Sequence, residues 1–280
     1  MVDLDTLLAD LADESAELDA LVTGRPAADL TLPTPAPGWT VAHQIAHLAW
    51  TDQVALQAAT DVEAFHASIS AAATDPAGFV DRGAEEFLRD CAKQDPAPAG
   101  GGSDTDGQLE LLDRWRAGRS ALAQALVASP PGVKLPWYGT RMSPTSMATG
   151  RIMETWAHGQ DIADALGVTR TPTARLRHVV HLGTRTFEHG FVVHGRPAPD
   201  RPVRVELRAP DGTEWAWGPA DAADRVSGPA LDFCLLVTQR RHRADLALTA
   251  TGQVADEWLD VAQAFAGLPG AGREPIRKPE

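Results

Sequence analysis

Cysteine is almost absent: Cys91 and Cys234 are the only two in 280 residues. So widely spaced a pair makes no disulfide framework, no cysteine-rich zinc site and no CxxC redox motif, and a reducing cytoplasm is the expected compartment. Long apolar runs are missing as well. The greasiest stretch, residues 231–237 (LDFCLLV), falls far short of the roughly 20 residues that a membrane-spanning helix requires. The first residues carry Asp3, Asp5 and Asp10 instead of a basic segment followed by an apolar one, so no secretory signal is read there. Positive charge is scarce: 25 Lys+Arg stand against 38 Asp+Glu, a net charge of −13, with a pI near 5.1. Phosphate backbones and anionic lipids repel such a chain. Its one dense basic run, residues 240–243 (RRHR), is too short to reverse that, so neither nucleic acid nor membrane is an expected partner. What remains is ordinary globular composition, 44% hydrophobic, at a length that suits two domains.

No fixed-period repeat is visible, and composition breaks at residues 95–107 (DPAPAGGGSDTDG) and 195–202 (GRPAPDRP), which read as loops. Leu4, Leu7, Leu8, Leu11, Leu18 and Leu21 recur at three- and four-residue spacings, which predicts an amphipathic helix over 2–24. Thr40 is a suitable N-cap for a helix over 41–60. Further helices are expected at 77–92, 108–128, 144–166, stopped by Gly167, and 173–194. After residue 202 the period changes: Val203, Val205 and Leu207 alternate with Arg204, Glu206 and Arg208, the signature of a half-buried strand. Asp211-Gly212 is a hairpin signal, with 214–217 as the returning strand. Helices near 228–240 and 253–266 flank a further strand around 245–249. The expected architecture is two-domain α+β, a helical bundle over 1–194 followed by a small α+β domain over 203–270.

The sharpest chemical constellation is Glu154-Thr-Trp-Ala-His158, because residues four apart share a helix face and can aim a carboxylate and an imidazole at one ion. His43 and His47 repeat that spacing on the second long helix, and a bundle can bring facing helices together around shared ligands. Two imidazoles and a carboxylate suit zinc, with nickel, iron and cobalt also compatible, and three protein ligands leave positions for water or substrate. On its own the same spacing also serves surface pairs and hydrogen-bonded core histidines. His43 stands three residues after Thr40, the capping-box position, where its ring would serve the helix start. Asp161 is read either as an outer acceptor or as an exposed charge. His178, His181, His189 and His194 lack a partner at ligand spacing, and Trp115, Trp215, Trp217 and Trp258 are read as core or interface anchors.

Gly38-Trp39-Thr40-Val41 followed by His47-Leu48, and then Glu154-Thr155-Trp156-Ala157-His158-Gly159-Gln160-Asp161, resemble in order and distance the signatures of the mycothiol-dependent maleylpyruvate isomerase family within the DinB-like superfamily. The resemblance covers about residues 1 to 170 well. More loosely, the C-terminal α+β domain is similar to the family's sterol-carrier-like domain. It implies an N-terminal four-helix bundle whose divalent metal, usually zinc, is held by His47, Glu154 and His158. It also implies a thiol cofactor, mycothiol, and a small activated substrate, in a monomer or homodimer. In the family's isomerase the thiol adds to an activated C=C bond, rotation follows, and elimination releases the geometric isomer; in other members the thiol is transferred. Many relatives have an acidic residue where this chain has His43, which keeps His43 in view as an alternative ligand to His47. The isomerase also uses an arginine of its C-terminal domain, a place that Arg240 and Arg241 both fit loosely, beside the plainer reading of the pair as a solvated basic turn. Either would bind a substrate carboxylate if the second domain closes over the metal face. Arg141, in the aromatic stretch 136–142 (PWYGTRM) before the helix that carries Glu154 and His158, is a candidate cofactor contact at a pocket mouth, with packing of that loop against the bundle as the alternative reading. Lysine at positions 93, 134 and 278 alone, in a chain rich in Arg, Ala, Gly and Pro, suggests a GC-rich genome of the kind found in bacteria that make mycothiol. Two other readings keep the metal: a hydrolase using a metal-bound water with its pKa lowered to about 7, and a non-catalytic binding protein with a structural ion. Three good ligands instead of four favour an enzyme.

Overall fold

The computed structural model describes residues 2–75, 78–93 and 104–276. The chain divides into two compact units, Met1–Arg170 and Thr171–Glu280.

In the first unit, α1 (Leu4–Val22) starts where the Asp3 carboxylate accepts the Thr6 N–H at 2.8 Å, which satisfies one of the helix's orphan donors. A single turn, α2 (Ala27–Leu30), precedes the long α3 (Val41–Thr60). Asp61 ends α3 and at once caps α4 (Val62–Thr74), accepting the Ala64 N–H at 3.0 Å. The short α5 (Phe79–Lys93) follows, then α6 (Asp104–Ala128). The loop expected at 95–107 lies outside the described residues up to 103, and 104–107 belong to α6. The stretch read as an aromatic loop is a small hairpin, β1 (Leu135–Trp137) and β2 (Thr140–Met142), turning at Gly139 with φ +69°. Last in the unit comes α7 (Pro144–Ala165). Ser143 caps it, Pro144 opens it with a ring pre-set for the first turn, and Gly167, at φ +64°, sits in the left-handed conformation that terminates it.

The long helices α1, α3, α6 and α7 pack on one another around two apolar layers. Leu18, Ile45, Leu48, Leu112, Trp115 and Ile162 fill one; Leu7, Leu11, Ala55, Leu122, Leu126 and Ile152 fill the other. Charge separates the two layers. Asp52 is fully buried and accepts from Arg119 Nε at 2.7 Å and from Arg151 Nε at 2.8 Å. Arg151 also donates to the Thr51 hydroxyl at 2.8 Å, and Arg119 to the hydroxyls of Thr155, at 3.0 Å, and Ser15. Side chains from all four helices thus meet around one carboxylate.

The second unit begins with α8 (Leu176–Arg185) and α9 (Phe187–Val193), broken at Thr186 where one helix over 173–194 is expected. A four-stranded mixed sheet follows in the order β4-β3-β5-β6, from β3 (Val203–Arg208), β4 (Glu214–Trp217), β5 (Asp224–Pro229) and β6 (Thr249–Thr251). The β3–β4 hairpin forms as the alternation predicts, with β5 parallel to β3 on its other side. Helices α10 (Ala230–Val237) and α11 (Gln253–Val261) are shorter than expected. The last strand falls at 249–251 instead of 245–249. The change of unit at Arg170, ahead of the expected 195–202, reflects a helical period that runs on through α8 and α9 without marking where the core changes. Among the described residues no helix is long and apolar enough to cross a membrane. Cys91 and Cys234 are both buried free thiols.

Asp52→Asn keeps the side chain's shape and removes its charge, leaving Arg119 and Arg151 without a carboxylate. Denaturant unfolding should show a loss of about 3–5 kcal/mol, the cost of breaking a buried ion pair from one side; a loss below about 1 kcal/mol would mean that the interior is wet enough to screen both guanidinia.

Candidate metal centre

The turn ahead of α3 builds half of the site. Gly38, at φ +79°, lets residues 33–40 fold back so that the Thr34 N–H reaches Trp39 O at 2.8 Å, and Thr40 arrives at the helix start. There the Thr40 N–H donates to His43 Nδ1 at 3.2 Å, with the Thr40 hydroxyl 2.7 Å from the same nitrogen. An Nδ1 used as acceptor leaves the ring proton on Nε2, which faces Glu85 Oε1 at 2.9 Å. Both nitrogens of His43 are therefore engaged at the helix start and on α5.

One turn further along α3, His47 points at α7. Its Nε2 lies 3.7 Å from Glu154 Oε2, and His158 Nε2 lies 3.2 Å from the same oxygen. The two rings are 4.4 Å apart between centroids. All three ligand atoms fall within 4.8 Å of one another. Ligands at zinc distances of 2.0–2.2 Å in a tetrahedron stand about 3.4 Å apart, so this spacing needs little adjustment to close on an ion. The triad is sheltered but reachable: the Glu154 side chain is 25% exposed, those of His47 and His158 9% and 11%.

Donor chemistry tests the fit further. His158 Nδ1 sits 2.5 Å from Gln44 Oε1, an oxygen that only accepts, so Nδ1 carries a proton. The Gln44 amide in turn donates to the Thr34 hydroxyl at 2.8 Å, which donates to Trp39 O at 2.9 Å. With the proton on Nδ1, a neutral His158 turns a bare Nε2 lone pair toward a carboxylate oxygen, an arrangement that needs a cation or a second proton between the two. Across the site, His47 Nδ1 is buried with no hydrogen-bond partner among the described residues. Burial by itself raises the pKa of Glu154, but in the state where protons stand between the groups the hydrogen bonds and charge of His158 and His47 outweigh it and hold the carboxyl well below the usual range, so the carboxylate is the ionised partner of whatever cation lies there. An ionised carboxylate and two converging imidazole nitrogens form a donor set that fits a divalent ion.

Trp39 lies over the pair, 5.3 Å from the His47 ring and 6.0 Å from that of His158, nearly parallel to the latter at 21°. Neither its role nor that of Gln44 was separable in the sequence from their neighbours in the Gly-Trp-Thr motif and the α3 face. Asp161 is buried, which removes the exposed-charge reading. Arg141 stands exposed on β2 with its guanidinium 3.3 Å from Lys134 O. Arg240 and Arg241 follow α10 in the second unit and donate to Thr238 O at 2.6 Å and Arg240 O at 2.7 Å. Arg241 also lines a cavity of about 550 Å³ there with Arg243 and Arg273.

A family model described as the mycothiol maleylpyruvate isomerase N-terminal domain matches residues 11–163, a span that holds the whole triad. A second, described as wyosine base formation, matches residues 199–251. Two uncharacterized proteins from strains of Mycobacterium tuberculosis are each 53% identical over 273 residues, 98% of this chain and 100% of theirs. Among solved structures, the crystal structure of the mycothiol-dependent maleylpyruvate isomerase aligns with a TM-score of 0.56, and that of a histidine-to-alanine mutant of it with 0.50. Each alignment has 14% identity and covers 89% of this chain and 93% of the other. At that identity the likeness is one of fold.

Metal analysis of purified variants separates the two histidines of α3. His47→Ala and His158→Ala should each lose most of the bound divalent ion, whereas His43→Ala should keep it and cost about 1 kcal/mol at the helix start; equal metal loss from His43→Ala would reassign the ligand. Gln44→Leu leaves all three ligands in place but removes the acceptor that orients His158. Chelator competition should show metal affinity lowered about 10–100-fold, and an unchanged affinity would mean that packing alone sets the ring.

Proposed function

The chain belongs to the mycothiol maleylpyruvate isomerase N-terminal domain family, and from that premise we propose that it is a metal-dependent, thiol-cofactor enzyme, an isomerase or S-transferase acting on a small activated substrate. The observation that carries this is the convergence of His47, Glu154 and His158, ligand atoms within 4.8 Å of one another, on one partly exposed site. A divalent ion held there, zinc by donor set with nickel, iron or cobalt also suited, would keep a bound thiol as thiolate near neutral pH. His47 would hold it from α3 and Glu154 and His158 from α7, with the His158 ring fixed by Gln44 and covered by Trp39.

The protein's own thiols support an added one. Burial pushes the Cys91 thiol up, against the opposing influence of Arg114, and pushes Cys234 well above its ordinary value. Neither is a competent nucleophile near neutral pH. The family description points to mycothiol as the cofactor. We read the second unit, a mixed sheet with α8, α10 and α11, as the counterpart of the sterol-carrier-like domain. A hydrolase would use the same open metal positions, but it would need no thiol.

Full-length protein assayed on activated alkenes should turn over only with both metal and mycothiol, lose activity to a chelator and regain it with zinc. Metal-dependent turnover without any thiol would instead favour the hydrolase, and activity that survives complete metal removal would overturn the proposal.

A further inference from the structure

The surroundings of the triad carry information about what it would act on. Trp39 and Trp50 flank the His47 ring at 5.3 and 6.1 Å. From Trp50 the aromatic surface continues edge-to-face to Phe79 at 5.1 Å, and from Phe79 to Tyr138 at 5.6 Å. These four rings are half-buried, unlike the fully enclosed Phe65 and Trp115, so part of each remains available for contact. Their placement is built in: a Cβ at Gly83 would come 2.5 Å from the Trp50 ring, so α5 can press against that ring only with glycine there. Burial pushes the Tyr138 phenol up to about 12, so it stays neutral and adds no charge to this surface.

The charged groups that contact Trp39 and His43 directly are carboxylates. Asp81, on α5, accepts from Trp39 Nε1 at 2.9 Å, and Glu85, one turn later, faces His43 Nε2 at 2.9 Å. Both are exposed; at the triad a divalent ion would be offset by Glu154 and a bound thiolate, so these two carboxylates set the sign of charge beside Trp39. Of the arginines on nearby elements, Arg82 is paired with Asp75 at 2.6 Å and Arg151 with Asp52 at 2.8 Å, whereas Arg89, one turn past Glu85, and Arg141, on the hairpin of Tyr138, are exposed. Exposed carboxylates act over a Debye length of about 8 Å at physiological ionic strength, and that reach takes in the space in front of Trp39. A doubly anionic substrate would be repelled there, whereas planar rings attract flat apolar bodies.

We propose that the site selects an electroneutral, flat, conjugated electrophile with an aromatic or apolar body, in preference to a dicarboxylate, with Trp39 and Trp50 as the stacking surfaces and Asp81 and Glu85 as the charges that reject anions. This rests on the reading of the triad as the centre of a thiol-dependent enzyme. In the reaction the thiolate sulfur would bond to the alkene carbon β to a carbonyl while the π pair shifts toward that carbonyl. Rotation and expulsion of the same thiolate restore the alkene, so no net oxidation occurs and no further reactant is consumed.

The test uses metal-loaded full-length protein and two probes, cis-benzylideneacetone as the neutral aromatic enone and maleylpyruvate as the dianion. With mycothiol, kcat/KM should favour the neutral enone by about tenfold or more. Trp50→Ala should erode that preference through KM while metal content is retained. The surface double substitution Asp81→Asn with Glu85→Gln, which does not touch the core, should shift the ratio toward the dianion, as should added salt acting on the unaltered protein. A thiol-free arm measures quenching of tryptophan fluorescence by trans-benzylideneacetone and by fumarate. If neither probe turns over but the neutral ligand still binds more tightly, the thiol-enzyme reading fails and the selectivity stands. If the dianion binds or reacts better, or if the ratio ignores both salt and the double substitution, the selectivity is wrong whatever the thiol result.

Discussion

One carboxylate, that of Asp52, holds two guanidinium groups in the interior of the helical unit, and the alignment of the helices that carry His47, Glu154 and His158 follows from it. Burying three ionised groups is costly: desolvation pulls the Arg119 pKa down, Asp52 opposes it, and the like charge of Arg151 adds to the lowering. In return the arrangement has a directionality that apolar layers lack. Leucines on α1, α3, α6 and α7 would tolerate a slide of one helix along another by part of a turn, because van der Waals contact is forgiving in register. A carboxylate that accepts from Arg119 with one oxygen and Arg151 with the other tolerates far less. The clamp also lies next to the ligands. Thr51, which accepts from Arg151, donates its hydroxyl proton to His47 O at 2.7 Å, and Arg151 precedes Glu154 by three residues on α7. The same few bonds therefore set the height of His47 against Glu154 and His158.

The two histidines of the site are held by different forces. His158 is oriented by a hydrogen bond to Gln44, which continues through Thr34 to the backbone of Trp39. Among the described residues His47 has no such bond on Nδ1, and its ring packs with those of Trp39 and Trp50 at 5.3 and 6.1 Å. Trp39 takes part in both arrangements, which explains why the turn at Gly38 matters to the site as much as the helices do. A left-handed glycine at that point brings one aromatic ring over both imidazoles while delivering Thr40 to cap α3.

Where several signals agree, the sequence is informative. Helices α3 and α7 carry a long period, an N-cap and, for α7, a proline at the first turn and a glycine at the end; their spans differ from expectation by a residue at most. The β3–β4 hairpin is legible from strict alternation and Asp-Gly. The hidden elements are hidden for physical reasons. Helix α4 follows α3 without a loop because Asp61 ends one and caps the other, so one period masks two helices. In β5, the buried Asp224 reads as a loop residue, yet its carboxylate accepts the Val254 and Ala255 N–H groups at the start of α11. In the site, the three clustered residues are legible because both chemistry and spacing mark them. Gln44 is not, since an amide beside two histidines looks like filler until the fold puts His158 against it. Asp52, Arg119 and Arg151 look like defects in apolar faces, and only the assembled bundle shows that the three defects coincide.

A site clamped in this way differs from metal sites that fold their own domain. In a small zinc module the ligands come together only when the ion binds, and the binding free energy is consumed in ordering the chain. Here the bonds that fix the helix register belong to Asp52, Arg119, Arg151 and the hydroxyls around them, none of which is among the three clustered ligand groups. The apolar layers on either side close without those groups as well. Little of the free energy of metal binding at His47, Glu154 and His158 would then be consumed in folding. It would remain available to polarise whatever occupied the open positions, the condition under which a three-ligand ion activates an exogenous group instead of acting as a staple.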